Sequence, residues 1–160
     1  KKRSKRVSDI SAKDVAALRE STGAGVMDAK QALTDVNGDV AKATELLKER
    51  GLDKAAKKSE RETTEGVVQS YVHGEGKIGV LVELLCETDF VARGDDFKQL
   101  ATDLAMQVAA ANPASVDDLM KQEFIKDPAQ TIEQLVKATI AKLGENIQVK
   151  RFVRYELGDE

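Results

Sequence analysis

The sequence is poor in the residues on which many enzyme and metal sites depend. Its 160 residues include one histidine, one cysteine and no tryptophan. One histidine cannot make an HExxH zinc motif, and one cysteine cannot form a disulfide within the chain. These counts argue against a histidine dyad and a zinc-ligand cluster. We expect no catalytic residue, no metal site and no cofactor, and we interpret Cys86 as a small core residue.

Long apolar runs and an excess of one charge are also missing. No apolar stretch reaches the roughly 20 residues of a membrane-spanning helix, and no signal-peptide pattern is present. Lys and Arg number 25 against 28 Asp and Glu, which gives a net charge of −3. This balance argues against broad electrostatic binding of nucleic acid. We expect a soluble protein that binds neither membranes nor DNA.

The amino terminus carries a short basic run. Lys1–Arg6 holds five basic residues and no acidic one. The run is either a linker left when a longer precursor is trimmed, or an arm that touches RNA or an acidic surface. We favour a basic linker over residues 1–9.

A small helical domain is predicted over residues 10–52. Ser11 and Asp14 have the spacing of a capping box, so a helix should start there and end at Gly23. A second helix should run from Val26 to Asn37–Gly38. Asp39 should cap a third helix, which Gly51 ends. These three helices resemble a ubiquitin-associated domain, and residues 53–65 read as a partly helical tether.

The sequence pattern of the remaining residues, 66–158, predicts a sheet with helices. Alternation to His73 and the Gly74–Gly76 turn indicate a β-hairpin. Its second strand, from Lys77, is so rich in apolar residues that we expect it to be covered on both sides. Asp95 or Asp96 should cap a long helix, Asp127–Pro128 should open another, and residues 147–156 should form a third strand. The predicted fold is therefore α+β, with a three-stranded antiparallel sheet covered by helices beside the helical domain.

The tetrad Thr88–Val91 follows the second strand of the hairpin and permits two interpretations. In one, Phe90 and Val91 fold back onto the core and Asp89 begins a turn, which the pattern alone favours. In the other, Phe90 points outward as an anchor for a partner's pocket, a role typically worth ~2–4 kcal/mol of binding.

Three separated motifs resemble a known family. They are the early run RESTGAGVMDAK at residues 19–30, the Cys86–Val91 segment, and Gly144-Glu145-Asn146-Ile147. Together and in this order they resemble elongation factor Ts, the nucleotide-exchange partner of the GTPase elongation factor Tu. The resemblance extends from about Ile10 to about Leu157.

The resemblance implies a function and a set of contact residues. Phe90 would be a wedge in the GTPase domain near its Mg²⁺ and phosphates, with Asp89 on nearby polar groups, so that GDP leaves faster. The protein would bind both GDP-bound and nucleotide-free elongation factor Tu without being an enzyme. The full set of implied partner-binding residues is Arg19, Val26, Met27, Thr88, Asp89, Phe90, Val91, Leu143 and Gly144.

The chain also departs from the family pattern. Val26 stands where members usually have Met, and Leu85 where they commonly have Asn. Only Ala111–Asp127 occupies the place of a long insertion and second core half, so a homodimer or a tandem copy would be needed to restore that surface. The ending, residues 151–158, resembles chloroplast and cyanobacterial members, so we expect the chloroplast stroma, with the bacterial cytoplasm as the alternative.

Three other functions compete with exchange. A passive module would dock on a GTPase or a ribosome without accelerating GDP release. A hydrolase would use Asp89 with Asp95 or Asp96 and Mg²⁺. An RNA-binding protein would use Lys1–Arg6 and show steep salt dependence. Exchange ranks first and passive docking second.

Overall fold

The computed structural model describes residues 10–159, and the chain divides into two compact units with their boundary between Lys54 and Ala55. The predicted domain limits at residues 52, 53–65 and 66 stay predictions. The predicted basic linker, residues 1–9, and the RNA-binding hypothesis for Lys1–Arg6 lie outside the described residues.

Three helices build the first unit: α1 (Ala12–Thr22), α2 (Val26–Asp35) and α3 (Val40–Ala56), although the last two residues of α3 belong to the second unit. Ser11 and Asp14 form the expected capping box, and Gly23 ends α1 at a φ of 70°. Gly51, however, does not end α3, which continues to Ala56. The buried core consists of Leu18, Ala29, Ala32, Leu33, Ala43 and Leu47. The three predicted helices are present, and their likeness to a ubiquitin-associated domain stays a prediction.

The second unit begins with the predicted hairpin. Strands β1 (Glu65–His73) and β2 (Ile78–Cys86) pair antiparallel, with Glu65 opposite Cys86 and His73 opposite Ile78. Gly74, Glu75 and Gly76 all adopt positive φ in the turn, a conformation that the two glycines reach without steric cost.

Two helices follow β2. The first, α4 (Asp89–Ala92), has four residues, and α5 (Asp95–Ala111) has seventeen. Gly94 is the N-cap of α5, so Asp95 and Asp96 lie in the first turn instead of capping it. One face of α5 packs on the sheet through Phe97, Leu100, Ala101, Leu104, Ala105 and Val108, as the helical spacing predicts.

The segment after α5 differs from the prediction. Helix α6 (Val116–Lys121) begins at Ser115 as expected, but Asp127–Pro128 opens a strand, not a helix. Strands β3 (Glu123–Phe124) and β4 (Asp127–Thr131) form a small second sheet. Helix α7 (Ile132–Leu143) starts later, because Thr131 and Gln134 form a capping box.

Strand β5 (Ile147–Glu156) completes the main sheet in the order β1-β2-β5. All three strands are antiparallel, which confirms the predicted α+β class. Lys150 is an extra residue in β5, since Glu83 pairs with Arg151 while the next residue, Leu84, pairs with Val149. This bulge changes which side chains of β5 face the helices.

Helices cover one face of the sheet. On that face Val80, Val82, Leu84 and Cys86 of β2 are buried. The other face leaves apolar side chains exposed: Val68 and Val72 on β1, Leu81 on β2, and Val153 and Tyr155 on β5. The expectation that β2 is covered on both sides was therefore wrong for the described part of the chain, where Leu81 is 46% exposed. We call this second side the open face.

Candidate protein-docking site

The end of β2 carries the tetrad Thr88–Val91 onto a short helix. Cys86, the last residue of β2, is fully buried, and Thr88 is the N-cap of α4. The Thr88 Oγ1 accepts a hydrogen bond from the backbone N–H of Val91 at 3.3 Å. An N-cap of this kind satisfies one of the free amides of a helix's first turn. The tetrad is thus a capped helical turn on the end of a buried strand.

This turn sends neighbouring side chains in opposite directions. Val91 and Ala92 are 8% and 6% exposed and belong to the core, whereas Phe90 is 85% exposed. Successive helical residues differ by about 100° in direction, so only part of one turn can face the core. The hypothesis of inward packing is right for Val91 and wrong for Phe90, whose ring points into solvent.

Two of the acidic residues that the hydrolase hypothesis names form ion pairs. The Asp89 carboxylate lies 2.8 Å from the guanidinium of Arg93, and both side chains are largely exposed. Asp96 lies 2.7 Å from the Lys142 ammonium. These pairings provide no support for the carboxylate hydrolase, because each carboxylate neutralises a cation. Among residues 10–159 no three His, Cys, Asp or Glu side chains come together as a group that could hold a metal ion.

The turn between α7 and β5 anchors the tetrad. The Glu145 Oε1 accepts hydrogen bonds from the backbone N–H groups of Glu87 (3.2 Å) and Thr88 (3.0 Å), and its Oε2 accepts one from the Thr88 hydroxyl (2.7 Å). In return the Glu87 carboxylate accepts the backbone N–H of Asn146 at 2.7 Å. Residues 87–88 and 145–146 therefore hold each other through reciprocal bonds between side chains and backbone.

Of the residues in this anchor, the sequence predicts Thr88 as a contact residue, but at the turn before β5 it predicts Leu143 and Gly144, which precede Glu145. Leu143 is half-buried and packs against the core, and Gly144 ends α7 at a φ of 76°. Glu145 and Asn146 were noticed only within a family motif. One signal could have pointed to them: Cys86 pairs with Ile147, so the residues just beyond that pair must lie side by side.

Cys86 lies directly under the tetrad. Its thiol donates a hydrogen bond to the Thr88 carbonyl at 3.2 Å. Burial, reinforced by the negative charge of Glu145, raises the pKa of the Cys86 thiol to about 11. A thiol that stays protonated is a poor nucleophile, which is consistent with a packing role.

The first unit exposes its predicted contact residues on helices α1 and α2. Val26 is 50% and Met27 74% exposed, at the start of α2. Arg19 and Val26 line a shallow groove of about 340 Å³, together with Ile10, Val15 and Lys30. Its lining is mostly apolar and includes the two cationic side chains of Arg19 and Lys30, so the groove suits a partner surface with apolar and acidic side chains.

An exposed aromatic side chain on a fixed support suits an anchor for another protein's pocket. None of the helices in the described part of the chain has the length and hydropathy to span a membrane. The family model described as Elongation factor TS matches residues 87–160, which include the tetrad and the Glu145 turn.

Curated relatives extend this similarity over nearly the whole chain. The chain is 44% identical to elongation factor Ts of Desulforamulus reducens, with 96% of this chain and 91% of the relative covered. For elongation factor Ts of Syntrophomonas wolfei the identity is 43%, with 94% and 91% covered. The chain belongs to the elongation factor Ts family.

The same alignments show a difference in length. The alignment with the protein of Desulforamulus reducens spans 198 positions, although this chain has 160 residues, so the relative carries stretches that this chain lacks. The elongation factor Ts of Gloeothece citriformis is 44% identical, with 96% of this chain and 70% of that protein covered.

Proposed function

We propose that this chain is a guanine-nucleotide exchange factor for translation elongation, which binds elongation factor Tu and promotes GDP release. Phe90 enters the GTPase domain near the Mg²⁺ and phosphate site and displaces the groups that hold them. The proposal rests on family membership and on one observation, the 85% exposure of Phe90 on the capped α4 turn.

The free protein lacks the stabilisation that burying the Phe90 ring would provide, and binding to a partner supplies it. Burying a phenylalanine side chain is worth roughly 1.5–3 kcal/mol, and that gain is forgone while the ring stays in water. Its support is already formed, because Thr88 caps α4 and Val91 packs in the core. Docking therefore orders little chain, which keeps its entropic cost low.

Exchange by this route needs no bond to be made or broken in the nucleotide. A factor that lowers GDP affinity must have its own affinity for the GTPase lowered by GDP to the same degree. Phe90 acts here as a wedge and Asp89 as a polar contact, so the protein is an exchange catalyst and not an enzyme in the chemical sense. GTP then displaces it.

A second contact would come from the first unit. Val26 and Met27 offer exposed apolar surface beside Arg19 and Lys30. In this proposal the helical unit contributes affinity while the tetrad drives exchange. Met27→Ala should therefore weaken binding without lowering the rate of GDP release at saturating factor.

The experiment is the release of a fluorescent GDP analogue from elongation factor Tu. The variants are Phe90→Ala and Asp89→Ala, and Leu157→Ala is the matched control because Leu157 is 80% exposed but lies outside the tetrad. We expect the wild type and the control to accelerate release, and Phe90→Ala to lose most of the acceleration.

The alternative function, passive docking on the GTPase or the ribosome, predicts a different result. Binding would be detected while GDP release stays at its uncatalysed rate, in the wild type as in Phe90→Ala. That outcome would reject the exchange mechanism for this chain and leave docking in its place.

The open face supports a further partner, a second copy of this chain. Five exposed apolar side chains lie on it, and Leu81 and Val153 stand opposite each other at its centre. Two such faces can pack as a β-sandwich, which would join two shortened cores. Light scattering should show a dimer for the wild type and for Leu157→Glu, and a monomer for Leu81→Glu.

The compartment is proposed on the relatives and on the resemblance of the ending. The relatives named above come from bacteria, which fits the bacterial cytoplasm. The resemblance of residues 151–158 to chloroplast and cyanobacterial members favours the chloroplast stroma. Fractionation of the source cells distinguishes the two.

A further inference from the structure

Backbone pairing between β2 and β5 stops just before the tetrad. The final pair is Cys86 with Ile147. Beyond this pair, hydrogen bonds to side chains replace those between the strands. The Glu145 carboxylate accepts from the backbone amides of Glu87 and Thr88, and the Glu87 carboxylate accepts from the backbone amide of Asn146. Hydrogen bonds to a charged acceptor are stronger than neutral ones.

The hydroxyl of Thr88 connects this anchor to α4. It donates to the Glu145 Oε2 at 2.7 Å and accepts from the Val91 amide at 3.3 Å. A helix of four residues cannot hold its own shape. The direction of α4 therefore depends on its cap at Thr88 and on the packing of Val91 and Ala92.

Asn146 fastens a third segment to the same point. Its side-chain amide donates to the carbonyls of Ser59 (3.3 Å) and Arg61 (2.8 Å), and Asn146 itself is 6% exposed. The Arg61 guanidinium also lies 3.6 Å from the Glu87 carboxylate. Four stretches of the second unit thus meet: the end of β2, the tetrad, residues 59–61, and the turn before β5.

We propose that Glu145 is a positioning residue for Phe90: through Thr88 it fixes the direction of α4 and so the angle at which the ring meets the partner. The inference rests on the proposed exchange function. Glu145 acts through the tetrad and makes no contact with the nucleotide. Its removal frees two backbone amides and one hydroxyl, and Phe90 then samples several directions, of which few are productive.

The test combines three variants with the loss of Phe90. Glu145→Ala removes the carboxylate. Glu145→Gln keeps one oxygen for the two amides and an NH₂ group that can donate to the Thr88 hydroxyl. The matched control is Glu133→Ala, which removes an exposed glutamate of α7 that pairs with Lys137 on the same helix.

In the GDP-release assay at saturating factor, Glu145→Ala should lower the acceleration roughly tenfold, since it breaks three hydrogen bonds to a charged group. Glu145→Gln should stay within about threefold of the wild type, because an amide partly replaces those bonds. Glu133→Ala should match the wild type. In a Phe90→Ala background Glu145→Ala should change the rate less than about twofold, because both substitutions disrupt the same interaction, that of the Phe90 ring with the partner.

A second measurement does not need the partner. Amide hydrogen exchange at Thr88 and Val91 should accelerate in Glu145→Ala, whereas the buried amides of Val82 and Leu84 should keep their protection. Unchanged exchange at Thr88 would overturn the inference whatever the GTPase assay shows. Full additivity of Glu145→Ala with Phe90→Ala would also overturn it, because the glutamate would then act on the partner independently of Phe90.

Failure of the proposed function has a different signature. In that case the partner would release GDP as fast with Phe90→Ala as with the wild type, while the Thr88 amide would still lose its protection from hydrogen exchange in Glu145→Ala.

Discussion

Gly66 is where the smallest change should have the largest effect on the second unit. It lies in β1 opposite Leu85 of β2, with a φ of 155°. A Cβ added there would lie 2.1 Å from the Leu84 carbonyl oxygen and 2.9 Å from the Leu85 Cα. Both are backbone atoms of the paired strand, so no side chain can swing aside to make room.

The cost of Gly66→Ala follows from that geometry. Ordinary van der Waals contact begins near 3.4 Å, so the strands must separate by about 1 Å at this end of the hairpin. Forced overpacking costs typically ~1–3 kcal/mol, and an unfavourable φ adds ~1–3 kcal/mol. We expect the free energy of unfolding to fall by about 3 kcal/mol or more, and the nearby residues 87–88 to loosen.

Urea unfolding followed by tyrosine fluorescence measures this effect. The chain has no tryptophan, and both of its tyrosines, Tyr71 and Tyr155, lie in the main sheet, so the signal reports on the second unit. At a urea dependence of roughly 1.5 kcal/mol per molar, the midpoint should fall by about 2 M.

The matched control is Gly79→Ala, in β2 of the same sheet. A Cβ at Gly79 would meet no described atom within 4 Å. This change should leave stability unaltered or raise it by roughly 0.5 kcal/mol, since alanine restricts the unfolded chain. If Gly66→Ala unfolds at the wild-type midpoint, or if both variants lose the same stability, the reasoning from close approach is refuted.

Three further outcomes are expected. Phe90→Ala should leave the free energy of unfolding within ~0.5 kcal/mol of wild type, because the ring is 85% exposed, and urea unfolding checks this. Cys86 should resist thiol reagents at pH 8 in the native protein and react fully in urea. Because burial raises the pKa of the Cys86 thiol from 9.0 to about 11, the protonated thiol contributes to the stability of the folded state. This contribution is complete below pH 9.0 and is lost as the pH rises towards 11. The side chains of Arg50 and Gln31 donate hydrogen bonds that hold the Asp35 pKa below its ordinary 3.8. The ionised Asp35 therefore contributes to stability above pH 3.8, and its contribution is lost as the pH falls further. NMR titration should show a higher Asp35 pKa in Arg50→Ala.

Elements with strong local signals could be predicted from the sequence. Ser11 with Asp14, and glycine at residues 23 and 144, mark the helix ends that the structure has. The Gly74–Gly76 turn gave the hairpin its register. In these cases the local backbone requirement and the global fold agree, so short-range rules suffice.

Two other helix boundaries were predicted wrongly, because local signals in the sequence competed. Pro128 suits the first turn of a helix but also an edge strand, and the capping box at Thr131 decides in favour of the later start. Gly51 costs a helix only about 1 kcal/mol, so α3 passes through it. A glycine or a proline alone does not determine where a helix stops.

The candidate site depended on information that no short pattern carries. Helix α4 has four residues, too few for a periodicity, so the sequence could not decide whether Phe90 faces the core or solvent. Glu145 lies 57 residues from Thr88 along the chain. Its role becomes visible only once β5 is paired with β2.

The bulge at Lys150 makes β5 unusually sensitive to a change in length. Before it Ile147 and Val149 face the helices, and after it Phe152 and Arg154 do, the latter donating to the carbonyl of Ala109. Strict alternation would instead have turned Val153 and Tyr155 inward. Deleting this one lysine would exchange the two sides of half a strand, so a gap of a single residue is far less tolerable here than any substitution of Lys150 itself.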